Sequence, residues 1–264
     1  MKWILGSLRR EPPLAAPEQP RWRIDLGKEE PEFAIYAIGD VHGCLDLLRA
    51  AEEKVRRDVQ RTNVAGLIIM LGDYVDRGPD SRGVLDHLFT EPGNDIRRIT
   101  LCGNHDDLFM RFLDAPHDHS AWLDMGGRET LSSYGMPGAY VSLDGKDSSD
   151  QLKKQLVAAI PDRHRTLLAA MPVSLRIGNY LFVHAGIRPG IPLENQSDKD
   201  MMWIREPFLT QGPQLPITLI HGHTPGHEPS YGPGRIGIDT GAYASGKLSI
   251  LKLFQGEASV LHSS

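Results

Sequence analysis

Short polar segments that carry aspartate, asparagine or histidine recur along this 264-residue chain, each next to a glycine and close behind an apolar run. Their side chains could bind metal ions, because carboxylate, amide and imidazole ligands without thiolates suit manganese, iron or zinc. The set exceeds what one tetrahedral zinc ion needs and would suffice for two ions that share a carboxylate bridge. Two neighbouring cations are the usual device for displacement at phosphorus. The candidate ligands are Asp40, His42, Asp73, Asn104, His184 and His223.

The segment from Leu71 to Gly78 concentrates charge at the end of an apolar run that begins at Gly66. It contains Asp73, Asp76 and Arg77. Burying two acids and an arginine in one small space is costly unless a cation or an anion lies there too. Bound cations would pair with the acids, so this segment independently favours a metal site.

Strands and helices alternate around these segments. Apolar runs predict strands at residues 33–38, 66–71 and 96–101, each followed by a polar loop and a helix. Residues on loops at the carboxyl ends of parallel strands form the usual site of open α/β sheets. Downstream, the sequence predicts two helices within residues 151–170, one helix over 199–209, and strands at residues 173–177, 180–183, 217–220, 236–238 and 248–254.

Composition and charge restrict the domain organisation and the partners. Residues 1–30 are proline-rich and predict an extended or disordered tail, whereas residues 31–264 predict one catalytic domain with an insertion at about residues 115–150 over the site mouth. A net charge of −5 favours neither nucleic acid nor an anionic membrane as a partner. Two cysteines, Cys44 and Cys102, make no disulfide scaffold, so a reducing cytoplasm fits best.

Five motifs resemble, in order, those of a known family. The first three, Gly39–Gly43, Gly72–Gly78 and Gly103–Asp106, are similar to the signature motifs of the phosphoprotein phosphatases. With His184–Gly186 and Gly222–Pro225 they look most like the bacterial and phage serine/threonine phosphatase branch. The resemblance covers about residues 33–254 and implies an α/β, calcineurin-like metallophosphoesterase fold, with a central two-sheet β-sandwich flanked by helices.

The resemblance also implies how the metal ligands divide. Asp40 and His42 would hold one ion, and Asp73 would bridge both. The second ion would be held by Asn104, His184 and His223. The two divalent ions are expected to be manganese, with iron or zinc as alternatives.

Catalytic roles follow from the same resemblance. A hydroxide bridging the two metals would attack phosphorus directly, and His105 would protonate the leaving oxygen as a general acid. Asp76 would orient His105, while Arg77, Asn104 and Arg205 would bind the phosphate.

The substrate has more than one interpretation. A serine/threonine protein phosphatase acting on a phosphorylated protein or peptide is favoured, and a preference for phosphotyrosine stays open. A symmetrical bis(5'-nucleosyl)-tetraphosphate hydrolase shares the first three motifs, but the intact Asp76-Arg77 pair and the Thr224-Pro225 that follows His223 favour the phosphatase. A non-catalytic binding protein on this scaffold should have lost ligands or the acid, all of which are present. The oligomeric state stays open.

Two further residues near the motifs have structural interpretations. His221, two residues before His223, is expected to be a neighbouring structural residue. Arg188, two residues past Gly186, is expected to be a surface arginine.

Overall fold

The computed structural model describes residues 20–136 and 146–263. Within them the chain forms eleven strands: β1 (Arg23–Asp25), β2 (Ala34–Ile38), β3 (Gly66–Met70), β4 (Ile96–Thr100), β5 (Ser174–Ile177), β6 (Tyr180–Val183), β7 (Thr218–His221), β8 (Ser230–Gly232), β9 (Arg235–Gly237), β10 (Leu248–Phe254) and β11 (Glu257–Ser263).

Helices alternate with strands along the first half of the chain, and shorter helices connect the strands of the second half. They are α1 (Leu45–Thr62), α2 (Ser81–His87), α3 (Asn104–Asp114), α4 (Gly127–Ser133), α5 (Lys146–Ala159), α6 (Asp162–Ala170), α7 (Asp198–Trp203), α8 (Phe208–Gln211) and α9 (Ala242–Ser245). Short 3-10 helices span Ser120–Met125 and Leu193–Asn195. In the part of the chain that is described, no helix combines the length and the apolar character that crossing a membrane requires.

The strands form two sheets that pack on each other. One sheet has the order β11-β10-β2-β3-β4 and the other β1-β5-β6-β7-β9-β8. One buried cluster contains apolar side chains from both sheets, including Ile35 and Ile69 from the first and Phe182 and Ile220 from the second. A second cluster joins the opposite faces to the helices. The predicted two-sheet α/β architecture is confirmed.

Parallel pairing brings the predicted site loops to one edge. Strands β2, β3 and β4 are parallel, with Ile38 beside Met70 and Met70 beside Thr100 at their carboxyl ends. In the other sheet β6, β7 and β9 are parallel as well. Because each of these strands ends at the same side of its sheet, the loops that follow them meet there.

Three features differ from the sequence predictions or lie beyond them. Strand β1 falls inside the predicted tail yet pairs in parallel with β5, so the sheet begins earlier than residue 31; residues 1–19 lie outside the described part. The single helix predicted over residues 199–209 is wrong, because Pro207 lacks an amide donor and separates α7 from α8. The predicted insertion packs inward through Trp122, whose side chain is buried.

Candidate active site

All six candidate ligands lie together where the strands of both sheets end. Asn104 is central, because its Oδ1 lies 2.8 Å from His184 Nε2 and 2.9 Å from His223 Nδ1. Asp73 Oδ2 lies 3.4 Å from His184 Nε2 and 3.5 Å from His42 Nε2. A carboxylate oxygen of Asp40 accepts from the His223 backbone amide at 3.1 Å. All six residues are buried.

The backbone bends sharply at these residues. His42, Asp73 and His223 have φ of 43°, 55° and 64°, and Asp76 and Arg77 have φ of 76° and 67°. This left-handed region is uncommon for residues with side chains, and such strain tends to collect at functional sites. All five residues lie in the loops that follow β2, β3 and β7.

Two groups of donor atoms could each hold a cation. In each group the atoms lie within 4.8 Å of one another: one contains Asp73, Asp40 and His184, and the other Asp73, His42 and His105. Asp73 belongs to both groups, as a bridging ligand would. The predicted division, in which Asp40 and His42 hold one ion, stays a prediction.

The charges of the site are out of balance without cations. Burial and the neighbouring carboxylates of Asp239 and Asp73 raise the pKa of Asp40 well above its ordinary value. Burial also lowers the pKa of His42 and of His223 to about 3, so both imidazoles are neutral, as metal ligands must be. The Nε2 of His223 is buried and has no hydrogen-bond partner within residues 20–136 and 146–263. Burial opposes protonation of His184, but the carboxylates of Asp73 and Asp40 raise its pKa to about 10, so a bound cation would displace its proton. Crowded acids and the unpaired nitrogen of His223 fit divalent cations.

Asp239 is a member of this cluster that sequence reasoning missed. It follows strand β9, is buried, and accepts from the Gly241 amide at 2.8 Å. Burial is the main cause that raises its pKa. A local pattern in the sequence indicates Asp239 as a candidate, because it follows an apolar run and precedes Gly241 by two residues. The other candidate ligands also lie near a glycine behind an apolar run.

His105 lies between an acid and an arginine. Its Nδ1 donates to Asp76 Oδ2 at 2.6 Å, and its Nε2 lies 2.9 Å from Arg77 Nη2. Burial opposes protonation of His105, but the negative charges of Asp73 and Asp76 raise its pKa. The other guanidinium nitrogen, Arg77 Nη1, lies 2.9 Å from His42 Nε2. Because arginine only donates, Nε2 accepts from Arg77 here, and a proton can occupy Nε2 only when the guanidinium bonds another acceptor.

Two residues of the predicted insertion fix Asp76, and sequence reasoning missed both. Trp122 Nε1 donates to Asp76 Oδ2 at 2.7 Å, and Thr130 Oγ1 donates to Asp76 Oδ1 at 2.7 Å. All three side chains are buried. Asp76 therefore has donors on both oxygens and is held in one orientation toward His105.

Asp106 joins the loops that carry Asp73 and Asn104. Its Oδ2 accepts from the backbone amides of Asp73 and Gly103 at 2.8 and 2.9 Å, and its Oδ1 accepts from that of Tyr74 at 2.9 Å. Sequence reasoning placed Asp106 only in the first turn of α3, where a negative charge is favourable. The structure adds that it positions two ligand loops relative to each other.

The remaining candidates lie at the edge of the site. Arg205 is exposed, and its Nη2 donates to the His223 carbonyl oxygen at 3.4 Å. Its role in phosphate binding stays a prediction. Arg188 pairs with Asp200 at 2.7 Å on the surface, and His221 is buried and donates from Nδ1 to the Gly222 carbonyl at 2.9 Å. Neither belongs to the two donor groups.

Comparison with known proteins adds relatives of two activities. The model of the family described as calcineurin-like phosphoesterase matches residues 33–253. Serine/threonine-protein phosphatase 2 of Salmonella typhimurium is 28% identical over 83% of this chain and 92% of that protein. A symmetrical bis(5'-nucleosyl)-tetraphosphatase of Aromatoleum aromaticum is 28% identical over 60% of this chain. The match spans 46% of that relative, so the chain covers less than half the length of such tetraphosphatases.

A solved structure shares the fold. The crystal structure of a cold-active protein-tyrosine phosphatase from a psychrophilic Shewanella species superposes with a TM-score of 0.53 at 17% identity, covering 90% of this chain and 83% of the other. At this identity the likeness concerns the fold alone.

Proposed function

The chain belongs to the calcineurin-like phosphoesterase family, and from that premise we propose that it is a metal-dependent serine/threonine protein phosphatase. The observation that carries the proposal is the position of His105 between Asp76 and Arg77, next to Asp73. His105 Nδ1 lies 2.6 Å from Asp76 Oδ2, and His105 Nε2 lies 2.9 Å from Arg77 Nη2. A general acid, the carboxylate that orients it and a phosphate-binding guanidinium thus lie together beside one candidate metal cluster. The alignment with a serine/threonine phosphatase over 92% of its length supports the same substrate class.

The cluster would hold two divalent cations, for which we propose manganese. Its residues are Asp40, His42, Asp73, Asn104, His184 and His223, all oxygen or imidazole ligands. When bound, the two cations would acidify the attacking water and offset the charge of the phosphate. Asp73 contacts imidazoles on both sides and is the residue suited to bridge them.

The chain's own residues would manage the leaving group and the phosphate. A serine or threonine alkoxide leaves poorly near neutral pH, so a proton must reach it. His105 would donate that proton from Nε2, and Asp76 would stabilise the protonated ring through Nδ1. Arg77 would bind the phosphoryl oxygens with its planar guanidinium, and Asn104 and Arg205 would add contacts.

The His105→Asn variant tests the assignment. With manganese supplied, kcat on a phosphoserine peptide should fall about 10²–10⁴-fold. The loss on para-nitrophenyl phosphate should be smaller, because nitrophenolate leaves with little need of a proton. His164→Asn is the matched control, since His164 is equally buried but bonds Tyr134 and Asp86 outside the site. No turnover by the wild-type protein, or equal losses on both substrates, would contradict the proposed role.

A second candidate function is hydrolysis of dinucleoside tetraphosphates, which the tetraphosphatase relatives favour. Initial rates on phosphoserine, phosphothreonine and phosphotyrosine peptides and on diadenosine tetraphosphate decide between the two. We expect the highest kcat/KM on a phosphopeptide, consistent with a phosphorylated protein as cytoplasmic partner. A strong preference for the dinucleotide would replace the first proposal with the second.

A further inference from the structure

Tyr243 lies against the candidate phosphate-binding arginine although it belongs to no signature motif. The Arg77 guanidinium carbon lies 5.0 Å from the centre of the Tyr243 ring, over its face. The same ring meets His42 edge-on, with ring centres 5.5 Å apart and planes at 86°. Tyr243 is 44% exposed at the start of α9, so its ring stands at the opening of the site.

The other side of Arg77 is covered by backbone. The Arg77 amide donates to the Gly126 carbonyl oxygen at 3.2 Å, and Gly126 has a φ of +113°. A β-carbon at Gly126 would lie 2.8 Å from Arg77 Cγ, so the glycine allows the chain to pass directly over the arginine stem. Arg77 is therefore held between the segment before α4 and the ring on α9.

Tyr243 differs from the other partners of the guanidinium in a way that matters for function. The terminal nitrogens of Arg77 contact the Nε2 atoms of His42 and His105. In the proposed function, those same two nitrogens bind a cation and donate a proton, so neither is free to hold the arginine during the reaction. The aromatic face of Tyr243 takes no part in that chemistry and attracts a guanidinium in either state.

We propose that Tyr243 is a positioning residue that keeps the Arg77 guanidinium aimed at the phosphoryl group and so sets the affinity for phosphate. The inference rests on the proposed function, because it assumes that Arg77 binds phosphate. The face of the Tyr243 ring holds the guanidinium, so the Tyr243 hydroxyl is not required for phosphate affinity. Tyr243 acts through Arg77, so its contribution disappears when the arginine is absent.

The test measures binding as well as turnover. Inorganic phosphate is titrated calorimetrically into manganese-loaded wild type, Tyr243→Phe, Tyr243→Leu, Arg77→Ala and the Arg77→Ala/Tyr243→Leu double variant. Tyr243→Leu should raise the phosphate Kd about threefold to tenfold, whereas Tyr243→Phe should stay within about twofold. In the Arg77→Ala background the leucine change should have no further effect. KM for para-nitrophenyl phosphate should follow Kd, with kcat changing less.

Tyr231→Leu is the matched control, because Tyr231 is 65% exposed on β8 and should leave the phosphate Kd unchanged. Manganese content and thermal unfolding of each variant show whether a loss reflects damage to the His42 side of the site or to the fold. Wild-type affinity in Tyr243→Leu, or an equal loss in the presence and absence of Arg77, would overturn the inference. Failure of the wild-type protein to bind phosphate would overturn it as well. Binding without turnover would overturn the proposed function alone.

Discussion

Two buried clusters of charged residues in this protein are built on opposite principles. The first, here called the site cluster, comprises Asp40, Asp73 and Asp239 with the imidazoles at the strand ends. The second, the Glu52 cluster, joins α1, α2 and β4: Glu52 lies 2.8 Å from His87 Nε2 and pairs with Arg98. Arg98 Nη2 also donates to the carbonyl oxygens of Leu88 and Thr90, at 2.7 and 2.6 Å.

The pKa of Glu52 and the pKa of Asp40 shift in opposite directions. Burial opposes ionisation of Glu52, but His87 and Arg98 lower its pKa below the ordinary value. Burial and the carboxylates around Asp40 raise its pKa well above the ordinary value. The Glu52 cluster is complete within the chain. In the site cluster His184 lowers the pKa of Asp73, but Asp40 and Asp239 keep raised pKa values because burial and neighbouring carboxylates outweigh it. A buried acid whose pKa is raised because no cation of the chain offsets its burial thus indicates a ligand site better than burial of an acid alone.

The largest expected effect separates metal binding from stability. Asp40→Asn should lose manganese and about a thousandfold or more in kcat/KM, because a missing cation costs several kcal/mol of transition-state stabilisation. In chelator, however, its free energy of unfolding should not fall, since the variant removes a crowded charge and Asn can still accept from the His223 amide. Metal analysis, kinetics and urea unfolding measure these quantities. If Asp40→Asn, measured with a metal chelator present, were destabilised as much as Glu52→Gln, the two clusters would not differ in the way described.

The second effect concerns stability without chemistry. Glu52→Gln should lower the free energy of unfolding by about 3 kcal/mol, because it leaves Arg98 buried without its counter-charge. Activity of the folded protein should be unchanged. Glu53→Gln is the matched control, because Glu53 pairs with Arg56 and Arg57 at the surface and its loss should change stability little.

The pH dependence of stability sharpens the same prediction. Because the pKa of Glu52 is lower in the folded state, its contribution is present above the unfolded value of about 4.3 and is lost as the pH falls through the folded pKa. Wild type should therefore lose stability over this acidic window, and Glu52→Gln should show a flatter profile. Parallel profiles for the two proteins would show that Glu52 is not the titrating group.

The smallest effect tests the division of labour inside the site. Asp76→Asn should retain both manganese ions, in contrast to Asp73→Asn, and should lower kcat about 10–100-fold. In the proposed function the protonated form of His105 is the active one, so activity should fall as the pH rises through its raised pKa. Without the negative charge of Asp76, this loss of activity on the alkaline side of the pH–activity profile should begin at a lower pH. Equal metal loss in the two variants, or an unchanged pH–activity profile, would show that Asp76 does not act through His105.

Family and fold were accessible from the sequence. The five motifs lie within residues 33–253, which the calcineurin-like phosphoesterase model matches, so the resemblance to the metallophosphoesterases is confirmed. The predicted strands that carry the motifs recur as β2, β3, β4, β6 and β7, with no end shifted by more than one residue. These elements could be predicted because apolar runs, glycine-flanked turns and helix starts are local in the sequence.

The sequence by itself determined which residues are available for phosphate chemistry, since side-chain type and the glycine-flanked strand end are written in a few consecutive letters. Only the tertiary structure decided what surrounds them. Trp122 and Thr130 reach Asp76 from 46 and 54 residues away, and Tyr243 meets Arg77 from the far end of the chain. Asp239 follows β9 of the second sheet and meets Asp40, which follows β2 of the first, because the two sheets pack on each other. Such contacts depend on packing between distant segments, and no local pattern encodes them.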